Sequence, residues 1–341
     1  MSQFKRPRSF ALAALAVMCI ALVAAGCGGS SSSSSGGGSG KLSLVAYSTP
    51  QEAYAKIIPD FQKTSPGKGV KFTQSYGASG DQSRAVAAGL PADVVALSLE
   101  PDVTKLVDGG LVSPDWNKDK WHGFVTDSVV ALAVRKGNPK HIETWADLVK
   151  PGVQVVTPNP FSSGGAKWNI MAAYGSQIEQ GKTPAQAQTF LQAVLKNTVV
   201  QDKSARDALQ TFTSGKGDVL ITYENEAITA QQKDQQLDYV IPDQTILIQN
   251  PVAVVKNGNT AKAQAFIDFL HTSTAQKVFA EKGYRSTDPA LVDKKTYPTP
   301  AGLFKIDKFG GWSAVNDKFF DPQNGIVTKI EQGLGVSTAK G

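Results

Sequence analysis

The chain has 341 residues, of which 41% are hydrophobic and 19% are charged, and its formal net charge is +6. Lys5, Arg6 and Arg8 supply half of that charge, and the remaining +3, with no basic run interleaved with aromatics, argues against a nucleic-acid partner. Because the two cysteines, Cys19 and Cys27, both lie at the N-terminus, the rest of the chain has no thiol for a disulfide, a metal or a nucleophile.

The N-terminus predicts export and anchoring. The apolar run 10–25 is too short to span a membrane comfortably and follows positive residues, as in a secretory signal. Residues 23–27 (Val-Ala-Ala-Gly-Cys) resemble a bacterial lipobox that lipidates Cys27, although Ala24 departs from the usual leucine. Residues 28–40 contain only glycine and serine, which predicts a flexible tether. We therefore expect a signal peptide (1–26), then Cys27 with its tether (27–40), holding a domain at the outer face of the cell membrane.

From residue 41 onward, short apolar strands alternate with helical patterns, which is typical of an α/β fold with largely parallel strands. Strands are predicted at 42–47, from 70, and at 93–97, 153–157, 199–200, 219–222 and 239–241. Helices are predicted at 54–61, 82–88, from 164, at 184–195, from 205, and at 260–270 and 273–282. No internal repeat of fixed period is visible.

Length and pattern predict two lobes. The apolar runs 129–134 and 246–255 are each suited to carry the chain between lobes and to form a hinge. The expected first lobe is 41–128, the second is 129–248, and residues 249–341 return to the first lobe and add the C-terminal helices. Because ligands in open α/β sheets bind beyond the carboxyl ends of the strands, the site is expected in the cleft.

Four predicted strand-to-helix turns are small, polar and rich in donors: residues 47–50, 75–80, 162–165 and 203–206. Glycines there let a ligand reach the N–H groups of a helix start, and serines add hydroxyl donors. Each turn taken alone is more simply interpreted as an ordinary helix cap. Several of them meeting in one cleft would make a neutral, donor-lined site for a small anion.

Enzymatic motifs are not found in the sequence. His122, His141 and His271 do not have metal-ligand spacing, and there is no nucleophile elbow, Walker A loop or dinucleotide-binding glycine motif. Ser163 has no base close to it in the sequence, so a secreted hydrolase would need a triad assembled in space. We therefore predict no enzyme, no cofactor and no metal.

Seven segments resemble, in order and spacing, the bacterial periplasmic sulfate-binding proteins, which are receptors of sulfate/thiosulfate ABC importers. They are residues 75–82, 92–97, 134–139, 149–153, 157–169, 217–227 and 309–312. The most specific is Thr-Pro-Asn-Pro-Phe-Ser-Ser-Gly-Gly-Ala at 157–166. The resemblance covers about 42–320 and implies a type II periplasmic-binding-protein fold, with two α/β lobes, two crossover strands and a closing cleft.

The resemblance also implies a site in which neutral donors hold a dehydrated sulfate. The ligand-binding residues carried over by motif are Ser48, Ser79, Ser163, Gly164, Gly165, Ala205 and Tyr223, with Gly80, Ser162 and Arg206 behind them. Tyr223 stands where many relatives have tryptophan, and Ser48 where relatives often have aspartate. The implied partners are a membrane permease and sulfate, with thiosulfate, molybdate or phosphate as alternatives, and the protein is expected to be a monomer.

One substitution is expected to test this site from the sequence alone. An aspartate at Gly164 would place an anion where the ligand binds, and we expect it to abolish binding without disturbing the core.

Overall fold

The computed structural model describes residues 40–256 and 259–338; the predicted leader, Cys27 and the tether to residue 39 lie outside them. The strands in the described ranges are β1 (Lys41–Tyr47), β2 (Lys71–Gly77), β3 (Val94–Ala96), β4 (Phe124–Arg135), β5 (Val155–Pro158), β6 (Thr198–Asp202), β7 (Val219–Tyr223), β8 (Leu237–Val240), β9 (Gln244–Val254), β10 (Arg285–Ser286) and β11 (Gly302–Phe304). The helices there are α1 (Gln51–Gln62), α2 (Ser79–Ala87), α3 (Glu100–Asp108), α4 (Gly164–Glu179), α5 (Pro184–Lys196), α6 (Ala205–Thr213), α7 (Glu224–Gln231), α8 (Thr260–Leu270), α9 (Ser273–Glu281), α10 (Gly311–Phe319) and α11 (Ile326–Gly333).

Eight of the described strands follow one path in the order β2-β1-β3-β9-β4-β7-β5-β6, while β8 and β10 pair with β4, and β11 pairs with β9. β1 is parallel to β2 and β3, and β5 is parallel to β6 and β7, so there are two parallel sets. β9 and β4 lie between the sets and are antiparallel to each other. The end of β9 pairs with β3, and the second half of β4 pairs with β7. Strands β4 and β9, which contain the two apolar runs, therefore lie side by side between the two parallel sets. Within the run 129–134, however, only Val129 pairs with β9, and residues 130–134 pair with β7.

Helices cover both faces of each parallel set. Around β1–β3, helices α1, α8 and α9 bury an aromatic cluster in which the Phe61 and Phe266 ring centroids are 5.1 Å apart, and α2 and α3 cover the other face. Around β5–β7, helices α4, α5, α10 and α11 share the largest cluster, where Trp168 and Trp312 make an edge contact at 4.6 Å, and α6 and α7 cover the other face. Each fully buried large side chain contributes about 1.5–3 kcal/mol by leaving water.

The predicted strands and helices are all present, but several of their ends differ, and helices α3, α7, α10 and α11 were not predicted. Helix α1 begins at Gln51, three residues before its first predicted position. Helix α5 begins at Pro184 behind the capping box of Thr183 and Gln186, as the sequence indicated. Helix α2, however, begins at Ser79, three residues before its predicted start at Gln82. The reason is that β2 continues to Gly77 and Ala78 alone, in an extended conformation, makes the corner between strand and helix. Among the described residues, no helix has the length and hydropathy needed to cross a membrane.

Candidate functional site

Strands from both parallel sets end at one small cavity. The residues that line it are Tyr47, Ser48, Thr49, Gly77, Ala78, Ser79, Ser98, Ser163, Gly165, Ala205 and Tyr223. The cavity has a volume of about 10 Å³, roughly the room that one buried water requires. The cavity is therefore small, and most of its lining residues carry hydroxyl groups.

Most of the residues expected from the sequence lie around this cavity. Six of the seven predicted ligand-binding residues line it: Ser48, Ser79, Ser163, Gly165, Ala205 and Tyr223. The seventh, Gly164, lines an adjoining cavity together with Gly80 and Ser162. The Gly80 N–H donates to the Ser162 carbonyl oxygen at 3.1 Å, which joins the first turn of α2 to the turn before α4.

Three helices start at the cavity, and residues at or next to their first positions line it. Helices α2, α4 and α6 begin at Ser79, Gly164 and Ala205. The first N–H groups of a helix have no partner within it and carry the positive end of the helix dipole. Ser163 is the N-cap residue of α4, but its hydroxyl makes no capping hydrogen bond. The arrangement therefore offers main-chain and hydroxyl donors to an anion.

The two glycines at the start of α4 differ in how much room there is for a side chain. A Cβ at Gly165 would lie 3.4 Å from Ser163 Oγ and 3.6 Å from Tyr223 Cε1, so it would enter the cavity without a clash. A Cβ at Gly164 would lie 2.9 Å from atoms of Ser98 and Leu99. The expectation that Gly164→Asp would leave the core undisturbed is therefore wrong, because no side chain fits between α4 and the segment after β3.

Most of the hydroxyls that line the site already have protein partners, and those of Tyr47 and Thr49 contact the Tyr284 hydroxyl at 3.5 and 3.0 Å. Ser79 Oγ donates to Asp102 Oδ2 at 2.6 Å and accepts from the Ser98 N–H at 2.9 Å. The hydroxyl oxygens of Tyr223 and Ser98 are 2.7 Å apart. Of the Ser79 donors, the main-chain N–H at the start of α2 is therefore the one that remains for a ligand.

Arg206 follows Ala205 at the start of α6, but its charge is directed away from the cavity. Its guanidinium hydrogen bonds both oxygens of Glu52, at 2.5 and 2.8 Å, and its Nε lies 2.8 Å from Glu226 Oε1. Burial opposes ionisation of Glu52, but hydrogen bonds from Arg206 and Lys233 outweigh it and lower the pKa to about 2. Burial dominates at Glu226 and raises its pKa to about 7 despite the Arg206 charge. Arg206 thus stabilises the wall behind Ser48 rather than the ligand position.

No carboxylate lines the cavity within the described residues. Asp81 pairs instead with Arg84 and, at 2.9 Å, with Lys203. Burial raises the pKa of Asp102, although Lys167 and the Ser79 hydroxyl act in the opposite direction. The described residues also contain no cluster of three or more histidine, cysteine or acidic residues that could hold a metal ion.

Sequence reasoning missed one lining residue, Ser98; the other lining residues that were not named as ligand-binding lie in the turns 47–50 and 75–80 that it had selected. Ser98 follows β3 and so lies at the carboxyl end of a parallel strand. The rule that selected the other turns applied to it as well. It escaped notice because residues 97–99 contain neither a glycine nor a pair of small polar residues.

The sequence profile of the bacterial extracellular solute-binding proteins matches residues 42–285. The chain belongs to this family. Among its relatives, a sulfate-binding protein from Synechococcus elongatus is 44% identical over 86% of this chain and 87% of its own length. A thiosulfate-binding protein from Escherichia coli is 35% identical over 81% of this chain and 86% of its own.

Solved structures of solute-binding proteins give the same result for the fold. The sulfate-binding protein SubI from Mycobacterium tuberculosis H37Rv superposes with a TM-score of 0.81 at 42% identity, over 83% of this chain and 100% of SubI. The periplasmic-binding-protein fold expected from the sequence is therefore confirmed.

Proposed function

We propose that this solute-binding protein is an extracytoplasmic receptor that binds sulfate in the cavity described above and delivers it to an ABC importer. One observation carries the proposal: helices α2, α4 and α6 all start at a cavity that no carboxylate lines among the described residues. The expected ligand-binding residues are Ser48, Ser79, Ser163, Gly164, Gly165, Ala205 and Tyr223. The name and similarity of the relatives agree with sulfate as the ligand.

Sulfate fits a wall made of donors because it is a dianion without a proton at neutral pH. It needs no acceptor, and every oxygen can receive hydrogen bonds from N–H and O–H groups. A buried donor or acceptor left without a partner costs about 1–3 kcal/mol. Donors fixed at helix starts also lose little conformational freedom when the ligand binds. Neutral donors avoid a buried ion pair that would oppose release to a transporter.

The same wall distinguishes sulfate from phosphate. Phosphate keeps at least one proton between pH 6 and 8 and therefore needs an acceptor, which a carboxylate would supply best. Thiosulfate carries the same charge as sulfate but is larger, and a thiosulfate-binding relative makes it the second candidate. A hydrolase is disfavoured because no histidine lies beside Ser163 among the residues that line the cavity.

We also propose that binding closes two lobes, residues 41–128 with 249–341 and residues 129–248, around the ligand. Contacts across the cavity support this division. Arg206 of α6 pairs with Glu52 of α1, and Lys203 pairs with Asp81 of α2. Each contact joins residues that precede β4 to residues that follow it. A closed form held in this way would retain sulfate until a permease opens it.

Calorimetry tests the ligand assignment directly. The protein from residue 27 onward, with Cys27→Ser to prevent lipidation, is titrated with sulfate, thiosulfate, molybdate and phosphate. We expect sulfate to bind with the highest affinity, one molecule per monomer. Tighter binding of any of the other three anions would contradict the assignment.

We further propose that Cys27 carries a lipid that anchors the receptor to the outer face of the cell membrane through the glycine and serine tether. The Cys27→Ser protein, expressed with its leader, should move from the membrane fraction to the soluble exported fraction. Cys19→Ser is the matched control, since Cys19 lies inside the leader, and it should leave the distribution unchanged. Retention of Cys27→Ser in the membrane fraction would contradict anchoring at this residue.

A further inference from the structure

Ser98 and Tyr223 join the two parallel sets of strands at the cavity wall. Ser98 follows β3, and Tyr223 ends β7 and precedes α7. Their hydroxyl oxygens are 2.7 Å apart, both residues are 1% exposed, and both line the cavity. The two hydroxyls carry two protons, and their mutual hydrogen bond uses one. The other proton is left for a third group.

The main chain of Ser98 is fixed on both sides, which fixes where its side chain lies. Its N–H donates to Ser79 Oγ at 2.9 Å. Its carbonyl oxygen accepts from Trp168 Nε1 at 2.9 Å and from Asn250 Nδ2 at 3.3 Å. The Ser98 hydroxyl is thus held in place before any ligand arrives.

The surroundings of Tyr223 indicate which hydroxyl donates to the other. Thr126 Oγ1 donates to Asn250 Oδ1, so the amide nitrogen of Asn250 faces Ser98 and Tyr223. Burial raises the pKa of Tyr223, so its proton is retained, although hydrogen bonds with Ser98 and Asn250 act in the opposite direction. At 2.7 Å either hydroxyl can be the donor. A phenol is a stronger acid than an alcohol, so an anion at the cavity favours the arrangement in which Ser98 donates to Tyr223 and the Tyr223 proton is offered to the anion.

We propose that Ser98 is a positioning residue for anion binding: its hydroxyl donates to the Tyr223 oxygen and thereby directs the Tyr223 proton at the ligand. This inference rests on the proposed sulfate-receptor function. The chain of donors runs from Ser98 to Tyr223 to the anion, and each bond polarises the next. Because Ser98 and Tyr223 belong to different parallel sets, the donor is complete only when the two sets are together.

A double-mutant cycle tests the proposal, with sulfate dissociation constants measured by calorimetry for the wild type, Ser98→Ala, Tyr223→Phe and the double variant. Tyr223→Phe should weaken binding about ten- to hundredfold, as loss of one hydrogen bond to a charged group does. Ser98→Ala should weaken it about three- to tenfold, as loss of a neutral hydrogen bond does. In the Tyr223→Phe background, Ser98→Ala should change the affinity less than about twofold, because Ser98 acts only through the tyrosine.

The control is Ser176→Ala, at a serine that is fully buried and donates to the Ala173 carbonyl oxygen within α4. It should leave the affinity unchanged. If Ser98→Ala does not fold, Ser98→Cys replaces it, because a thiol is a much weaker donor.

Three outcomes would overturn the proposal. Ser98→Ala binding sulfate like the wild type would show that Ser98 does not position the donor. An equal effect of Ser98→Ala in both backgrounds would show an independent or merely structural role. Failure of the wild type to bind sulfate would overturn the proposed function and this inference together, whereas either of the first two outcomes leaves the function intact.

Discussion

The hydroxyl of Ser79 donates to Asp102 Oδ2 at 2.6 Å. Ser79 is expected to bind the ligand, yet its side-chain proton is committed to a carboxylate one layer behind the cavity. The same oxygen accepts from the Ser98 N–H. Ser79 therefore serves the site in two ways, with its main-chain N–H facing the cavity and its hydroxyl holding the neighbouring wall in place.

From this relationship we predict that Ser79→Ala affects stability more than binding. The substitution leaves Asp102 without its donor and the Ser98 N–H without its acceptor, which should cost about 1–3 kcal/mol of unfolding free energy. The main-chain N–H of residue 79 remains available to the ligand. The sulfate dissociation constant of the variant should therefore rise less than about fivefold above that of the wild type. Chemical denaturation and calorimetry measure the two effects. A loss of binding above hundredfold with unchanged stability would mean that the hydroxyl itself contacts the anion.

Sulfate should stabilise the protein by nearly the same amount at pH 6, 7 and 8, and phosphate should stabilise it far less. The N–H and O–H donors of the cavity wall do not titrate in this range. Glu226 does titrate there, but it contacts Arg206 and does not line the cavity. The melting temperature with each anion is the measurement. Equal stabilisation by phosphate would require a carboxylate that accepts its proton, which contradicts the sulfate assignment.

Gly165→Ala should abolish binding while the protein without ligand stays as stable as the wild type. The added methyl group would enter the cavity at van der Waals distance from Ser163 and Tyr223, where the anion binds. We expect the sulfate dissociation constant to rise more than about hundredfold, with a melting temperature within about 2 °C of wild type. Gly164→Asp is the contrasting variant, and it should lose stability as well as binding because it clashes with Ser98 and Leu99. Normal sulfate affinity in Gly165→Ala would remove the start of α4 from the site.

Tyr223→Trp should bind sulfate more tightly than Tyr223→Phe. The indole N–H is a donor and never an acceptor, so it can replace the phenolic O–H toward a dianion. One such bond is worth about 1.5–3 kcal/mol, and we expect the tryptophan variant to recover most of that amount. Calorimetry of the two variants side by side is the measurement. If Tyr223→Trp binds sulfate as weakly as Tyr223→Phe, the indole ring does not place its N–H at the anion.

The stability of the folded protein should depend on pH through Glu226. Burial raises its pKa from 4.5 to about 7, so between these values the folded state keeps a proton that the unfolded state has lost. The contribution of Glu226 to stability therefore falls as pH rises through this window, by about 3 kcal/mol in all. Glu226→Gln lacks this titration, so its unfolding free energy relative to wild type should rise between pH 4.5 and 7.

Denaturant titrations at several pH values measure the Glu226 effect. The surface variant Glu281→Gln is the control for removal of a carboxylate, because that side chain is 61% exposed. A flat difference for Glu226→Gln would contradict the raised pKa.

The sequence predicted the strands and helices that form the site because their signals are local. The capping box at Thr183 and the alternation of apolar strands with helical patterns depend on neighbouring residues, and both are present in the structure. The motif at 157–166 likewise determined which residues start α4 with their N–H groups exposed. For the same reason, six of the seven expected ligand-binding residues lie around one cavity.

Only the tertiary structure decided which hydrogen-bond donors of these residues remain free for a ligand. Ser79 and Asp102 are 23 positions apart in the chain and Ser98 and Tyr223 are 125 apart, so no local pattern shows that their hydroxyls meet. The same holds for Gly164, whose lack of room comes from the segment after β3. The donor types of the site follow from residue identity and local helix starts, whereas the use of each proton follows from which distant groups the fold brings within hydrogen-bond distance.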